Sequence, residues 1–196
     1  MLSERAKRVV DLAGASMLLL ATAPLMAAVA VGIRATSAGP VLFKQPRLTE
    51  NGRVFMLLKF RSMRVDAERE SGAVFAQDGD SRVTPLGRFL RKTRLDELPQ
   101  LINVIKGEMS LIGPRPERPE IADELAAKIR GFHRRLRAKA GLTGLAQVVQ
   151  GYPDDIAGYR RKLGLDLLYI RRRGVLLDLW IAMKTVGVVI SGAGAR

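Results

Sequence analysis

The 196 residues carry 33 lysines and arginines against 19 aspartates and glutamates, a formal charge of +14, with no cysteine and one histidine. A chain of this length holds one domain with a real core plus an accessory segment, and its charge selects an anionic partner: nucleic acid, lipid head groups or phosphorylated small molecules. Disulfides and thiolate metal sites are excluded, and with only His133, set among arginines in FHRRLR, so are a Ser-His-Asp triad and a histidine-rich metal site.

Residues 12–33, LAGASMLLLATAPLMAAVAVGI, contain no charge, and as a helix they reach about 33 Å, enough to cross a bilayer core. Arg5, Lys7 and Arg8 precede this run while Arg34, Lys44 and Arg47 follow it, so a spanning helix would leave dense positive charge outside in either orientation. Pro24 removes a backbone hydrogen bond near the middle, at about 3 kcal/mol in a helix interior. A bend is expected there, with Thr22 as a hydroxyl donor to a freed carbonyl. The residues leave a re-entrant helix with both flanks on the cytoplasmic side and a spanning helix as open alternatives, and a cleaved signal peptide as a third.

Beyond Gly39-Pro40, two apolar runs flank Asn51-Gly52, the strongest short-range signal for a hairpin turn and the only substantial β element expected. Polar residues 66–81 read as a loop with one short helix. Thr84 and Pro85 form an N-cap and first helical residue, opening a helix through 91, and a second helix is predicted over 97–106, stopped by Gly107. Ile121, Leu125, Ile129, Phe132 and Leu136 recur at helical spacing within a predicted helix at 119–138, as a core or membrane-facing stripe. Gly141, Gly144 and Gly151 mark an irregular stretch, and 159–170 is helical again. Residues 175–190, VLLDLWIAMKTVGVVI, are apolar on nearly every side and follow Arg171, Arg172 and Arg173. With Trp180 as an interface anchor they lie along an anionic membrane surface, or else close the core as a buried helix.

The chemistry concentrates in LDELPQLINVIKGEMSLIGPRP, residues 95–116. Asp96 sits where a helix should begin, which suits an N-cap and equally a carboxylate kept ionised as nucleophile or metal ligand. Glu97 is then a first-turn acid, and Pro99 is tolerated in a turn that lacks N–H partners. Arg88, Arg91, Lys92 and Arg94 precede the pair, either as a solvated face or as part of a site. Arg115 is fixed between Pro114 and Pro116, so it loses less entropy when it grips a phosphate. An anionic nucleophile about 4 Å from a phosphate meets repulsion on the order of 4 kcal/mol per charge pair at an effective dielectric of 20, so arginine or Mg²⁺ must neutralise it. No Walker loop and no GxGxxG follows a strand, so a phosphate site must be built otherwise.

These residues resemble the bacterial sugar transferases, the monotopic polyprenyl-phosphate phosphoglycosyl transferases. The resemblance rests on KRVVD at 7–11, GPVLFKQ at 39–45, KFRSM at 59–63, the run from 80 to 117 that contains LDELPQ and IGPRPE, GLTGLAQV at 141–148 and DLLYI at 166–170. It implies a membrane-bound enzyme that moves a phosphosugar from a UDP-sugar to undecaprenyl phosphate, releases UMP and starts a surface glycan. Carried over by motif, Asp96 is the nucleophile and Mg²⁺ ligand and Glu97 its dyad partner, while Arg91 and Arg115 hold phosphate oxygens. Lys59, Arg61, Arg82, Pro116, Gln147 and Asp166 fall in further motifs as substrate-binding candidates. The implied fold is α+β and mainly helical. Residues 1–36 form a re-entrant membrane helix broken near Pro24, and 37–196 a compact helical catalytic domain with one β-hairpin and interfacial amphipathic helices. This domain sits on the cytoplasmic face of the bacterial plasma (inner) membrane, in the minimal form of the family. Nucleic acid is not expected as a partner, and the oligomeric state is not legible.

Two departures stand out: Ala23 precedes Pro24 where the family commonly has serine, and VVQGYPDD at 148–155 replaces a Gly-Arg-Asn run. Charge alone also supports a membrane-tethered nucleic-acid binder, and the apolar segments alone a non-catalytic scaffold for glycan assembly. Neither alternative needs the Asp-Glu pair.

Overall fold

A computed structural model describes residues 4–67, 80–151, 153 and 155–191. It opens with a 33-residue helix, α1 (Glu4–Thr36), whose few polar groups set its seat. Arg8 donates to the carbonyls of Val104 and Ile105 at 2.6 Å each, and Asp11 Oδ1 accepts from Ser110 Oγ and the Leu111 N–H at 3.0 Å each. Asp11 is buried while Val9, Val10, Met17 and Leu20 are exposed, the reverse of the arrangement in a water-soluble helix. Near the other end, Val29 and Ile33 pack with Phe60 and Leu90. No residue from 16 to 28 is buried, although Leu19 packs against the Ala15 cluster and Met26 against the Val29 cluster, so the stretch of α1 between the two packed clusters is residues 20–25.

Helical structure continues through Pro24, where the sequence leads to the expectation of a bend and the family resemblance to that of a break. The proline ring costs the Leu20 carbonyl its donor. Thr22 does not supply a replacement, because its hydroxyl donates to Leu18 at 2.7 Å.

β1 (Leu42–Leu48) and β2 (Val54–Phe60) form the expected antiparallel hairpin, with Leu42 opposite Phe60 and Leu48 opposite Val54. Asn51 and Gly52 take the positive φ angles, 58° and 74°, that this dipeptide tolerates, and the Thr49 N–H closes the turn on the Arg53 carbonyl at 2.9 Å. Alternation along β2 sends Phe55 and Leu57 into a cluster with Ala15, Leu101, Val104, Met109 and Ala140. The predicted loop at 66–81 lies largely outside the described residues.

α2 (Pro85–Lys92) starts as its sequence requires: Thr84 Oγ1 accepts the Gly87 N–H at 2.9 Å, with Pro85 in the first turn. The single helix predicted over 97–106 is instead a 3-10 turn at Leu95–Glu97 followed by α3 (Gln100–Lys106), which Gly107 ends at φ 82°.

β3 (Ser110–Ile112) pairs in parallel with β4 (Gly141–Thr143), so the stretch read as irregular contains a strand. Glycine is needed here because the backbones touch: a Cβ on Gly141 would lie 2.1 Å from Gly113 N, and one on Gly144 2.1 Å from Gly113 O. Between these strands, α4 (Pro119–Lys128) is shorter than predicted, since Ile129 leaves helical backbone at φ −129° and ψ 104°, and Gly131 at φ 77° then leads into a 3-10 stretch, Phe132–Arg137. The apolar stripe survives the break. Leu125, Ile129 and Phe132 are buried with Leu48 and Leu163, and Ile121 and Leu136 pack beside them, so the stripe is core.

The chain finishes with α5 (Leu145–Val149), α6 (Ile156–Arg172) and α7 (Val175–Ser191). α7 turns its polar groups inward: Asp178 meets Lys7 Nζ and Tyr169 Oη at 2.9 Å each, and Thr185 Oγ1 lies 2.8 Å from Thr143 Oγ1, with Ile181 buried between them. Leu176, Leu179, Trp180, Met183 and Val186 point out. It is therefore not the buried closing helix that the sequence also allows.

Candidate active site

α2 and the 3-10 turn meet at Arg94, whose φ of 56° is one of only two positive values at non-glycine positions among the described residues. That conformation costs on the order of 1 kcal/mol, and it turns the chain so that Leu95 and Leu98 enter the core while Asp96 and Glu97 face β2 and the segment after β3. Asp96 does not cap a helix: α3 begins after Pro99 without a side-chain cap, and the turn itself begins after Arg94. Its carboxylate lies 3.6 Å from Lys59 Nζ.

Glu97 is gripped from two sides. Lys59 Nζ, from β2, is 2.9 Å from Oε1, and Arg115 Nη2, from the Pro-Arg-Pro segment, is 2.8 Å from the same oxygen. Burial opposes the charge on Glu97, yet Arg115 and Lys59 outweigh it and hold the carboxyl well below the usual range. Asp96 goes the other way: burial raises its pKa, and Glu97 adds to the rise against the opposing pull of Lys59, Arg91 and Arg115. Burial and partners thus push the two adjacent carboxylates in opposite directions.

Thus Asp96, Glu97, Lys59 and Arg115 are brought together. Arg91, on α2, flanks them with Nε donating to Ser62 Oγ at 2.8 Å, and Pro116 follows Arg115, its carbonyl held by Arg47 at 3.1 Å. Gln147 stands on α5 beside Gly144, its Nε2 donating to the Leu142 carbonyl at 3.3 Å. Its Oε1 is a buried acceptor without a hydrogen bond among the described residues. The other candidates are engaged elsewhere. Arg61 is buried and donates to the Ala38 carbonyl at 2.6 Å and to Ser37, pinning the chain that leaves α1. Arg82 is paired with Asp80 at 2.6 Å. Asp166 is buried against Arg135, 2.8 Å away, so its place is in a support rather than on a ligand surface.

Several residues that matter here carry weak sequence signals. Asn103, fully buried, accepts the Leu58 N–H at 3.0 Å and donates to the Met56 carbonyl at 2.8 Å, fixing α3 against the strand of Lys59. A lone asparagine inside the apolar run LINVI is the only hint. Arg135 looks like one more solvated arginine of FHRRLR but is buried, as are Glu117 and Lys162, which pair with each other. Burial opposes the charge on Glu117 as well, but Lys162 and Arg135 hold its pKa at about 2.

Among the described residues no group of three or more His, Asp or Glu could enclose a metal. The dyad offers Asp96 and a Glu97 already saturated by two cations. Such a donor set fits Mg²⁺ of the kind that takes one carboxylate and completes its shell with substrate phosphates and water.

The described residues thus form a mainly helical body with one hairpin, an apolar first helix and a carboxylate pair ringed by cations. The chain matches the bacterial sugar transferase family over residues 2–192, and it belongs to that family. It is 45% identical over 190 residues to a UDP-N-acetylgalactosamine-undecaprenyl-phosphate N-acetylgalactosaminephosphotransferase of Aeromonas hydrophila, covering 97% of this chain and 45% of that protein. Two UDP-glucose:undecaprenyl-phosphate glucose-1-phosphate transferases also match, each over 92% of this chain. The one from Klebsiella pneumoniae is 40% identical with 39% of its length covered, and the one from Caulobacter vibrioides 42% identical with 68% covered. The chain thus spans less than half the length of the first two.

Proposed function

We propose that this chain transfers a sugar 1-phosphate from a UDP-sugar to undecaprenyl phosphate through a covalent intermediate on Asp96, starting a surface glycan. The observation that carries the reading is the unequal pair: a buried Asp96 beside a Glu97 whose charge is already met by Lys59 and Arg115. In the first step an Asp96 carboxylate oxygen attacks the sugar-bearing phosphorus, and the bond to the other phosphate breaks with its electron pair leaving on UMP. An oxygen of undecaprenyl phosphate then attacks the same phosphorus, and Asp96 departs as carboxylate, leaving a polyprenyl diphosphate sugar. Neither step requires a proton transfer when the phosphates are ionised, so the chain needs cations more than a general base.

Lys59, Arg115 and Arg91 supply that positive charge. Before the donor arrives, Glu97 keeps Lys59 and Arg115 pointed at the place where the diphosphate is received. Mg²⁺, held by Asp96 and the donor's phosphate oxygens, would supply Lewis-acid neutralisation of phosphate charge.

Membrane placement follows the same logic. Both ends of α1 rest on one folded body, while residues 20–25 between them belong to no packed cluster. This supports a re-entrant, monotopic entry in which residues 1–36 dip into the bilayer and 37–196 stay on the cytoplasmic face. The outward Leu176, Leu179, Trp180 and Met183 of α7 support an interfacial seat for that helix.

The test is release of UMP by purified protein with Mg²⁺, undecaprenyl phosphate and a panel of UDP-sugars. Asp96→Asn is expected to abolish it, and undiminished release in that variant removes the nucleophile assignment.

A further inference from the structure

Four consecutive carbonyls around Arg115 are each held, from three parts of the fold: β4, the 3-10 stretch at 132–137 and the end of β1. Pro114 O accepts from the Gly141 N–H at 2.9 Å, Arg115 O from Arg135 Nη2 at 2.6 Å, Pro116 O from Arg47 Nη1 at 3.1 Å and Glu117 O from the Leu48 N–H at 2.9 Å. Two prolines without N–H groups prevent this segment from joining a regular ladder, so its acceptors must find donors singly. Gly141 and Leu48 bring backbone donors with their strands. Arg135 and Arg47 reach the other two carbonyls with their side chains.

Arg135 is the better built of the two. Its Nε and Nη2 lie 2.9 and 2.8 Å from Asp166 Oδ2, its Nη1 lies 3.7 Å from Glu117 Oε1, and its guanidinium stands 5.3 Å from the centre of the Phe132 ring. Removing such ions from water costs several kcal/mol each, and well-packed apolar residues often match a buried ion pair in stability. Stability therefore does not account for the arrangement. Its geometry does: a planar fork bonds the carboxylate and still reaches the carbonyl of Arg115, the residue whose side chain grips Glu97, whereas an ammonium cannot hold both in fixed directions.

We propose that Arg135, oriented by Asp166, is a positioning residue that fixes the Arg115 backbone so that its guanidinium meets Glu97 and the anionic donor. This rests on the transfer reading above. The groups facing Asp96 are Lys59 from β2, Arg91 from α2, Arg115 from the clamped segment and Glu97 beside it. If Arg115 drifts, Glu97 loses one of its two cations and Asp96 one of the three that face it.

The experiment uses the full chain in lipid nanodiscs and two variants. Arg135→Lys keeps the charge but cannot serve both partners. It is expected to lose about 10- to 100-fold in kcat/KM per folded enzyme, the cost of slight misplacement of a catalytic group, to raise KM for the UDP-sugar, and to speed amide exchange across residues 113–118. The double variant Arg135→Met with Asp166→Leu removes both ions together, so it should melt near the parent yet show the same loss in kcat/KM and the same faster exchange. A merely structural role would lower the amount of folded enzyme and leave kcat/KM per folded enzyme at the parental value, which would overturn the proposal, as would parental kinetics in Arg135→Lys. Should the double variant not fold, Arg135→Lys decides. A parent that transfers no phosphosugar sinks the transfer reading instead, and exchange rates across 113–118 left unchanged by Arg135→Lys would still refute the clamp.

Discussion

Asn103 Oδ1 accepts the backbone N–H of Leu58 at 3.0 Å, a bond that ties the helix after the carboxylate pair to the strand that carries Lys59. Since the same amide donates to the Met56 carbonyl, Asn103→Ala strands buried polar groups on β2. The expected loss is on the order of 2–4 kcal/mol, read from urea denaturation in detergent. A change below about 0.5 kcal/mol, the range of ordinary surface substitutions, would mean that the strand finds other partners.

The opposed shifts of Asp96 and Glu97 predict a pair of pH profiles with opposite signs. Glu97 raises the pKa of Asp96 and Lys59 lowers it, within a site where burial is the largest cause of the rise. Glu97→Gln should therefore move the acid limb of kcat/KM to lower pH and Lys59→Met to higher pH. Both should lose activity, Lys59→Met by about 100-fold as for removal of a group that stabilises developing charge. Shifts of the same sign in both variants would contradict the division of roles.

Glu117 gives a prediction about acid stability. Its folded-state pKa of about 2, against an ordinary 4.5, means that the unfolded chain binds the proton more readily. Its contribution, on the order of 3 kcal/mol, is present above pH 4.5 and lost as pH falls toward 2. Asp96 acts with the opposite sign, favouring the folded state at low pH, and this term cancels between parent and variant. Lys162→Met should raise the pH of half-unfolding, and a variant with the parental acid transition would show that Arg135 and Arg47 suffice for Glu117.

Topology can be read by labelling, because the chain has no cysteine of its own. Single cysteines at Arg5 and Ala38, both exposed, should react with an impermeant maleimide from the same side of sealed vesicles. Reaction from opposite sides would establish a spanning helix.

Local signals were legible where a residue acts on its own neighbours. Asn51-Gly52 set the hairpin, Thr84-Pro85 opened α2 and Gly107 closed α3, because caps and left-handed positions are decided within a turn. The pair at Asp96 and Glu97 and the held arginine at 115 were also visible, mainly through the family motifs. Spacing alone misled in two places. Asp96 looked like a cap, yet Arg94 turns the chain first and sends the carboxylate toward Lys59. α4 ended at Ile129 while its apolar stripe continued regardless, since packing against Leu163 and Leu48 does not require a single helix axis. Arg61, Arg135 and Asp166 were least legible, because whether a charge faces solvent, ligand or a buried partner depends on segments distant in the chain.

Asp96 as a covalent nucleophile is the claim on which the transfer reading stands, and intact-protein mass spectrometry tests it most directly. Enzyme shown to release UMP, mixed with UDP-sugar without polyprenyl phosphate and quenched in acid, should gain the mass of one sugar phosphate, located by fragmentation on Asp96 and discharged when undecaprenyl phosphate is added. An active enzyme that never carries this mass, or carries it on another residue, would contradict the account.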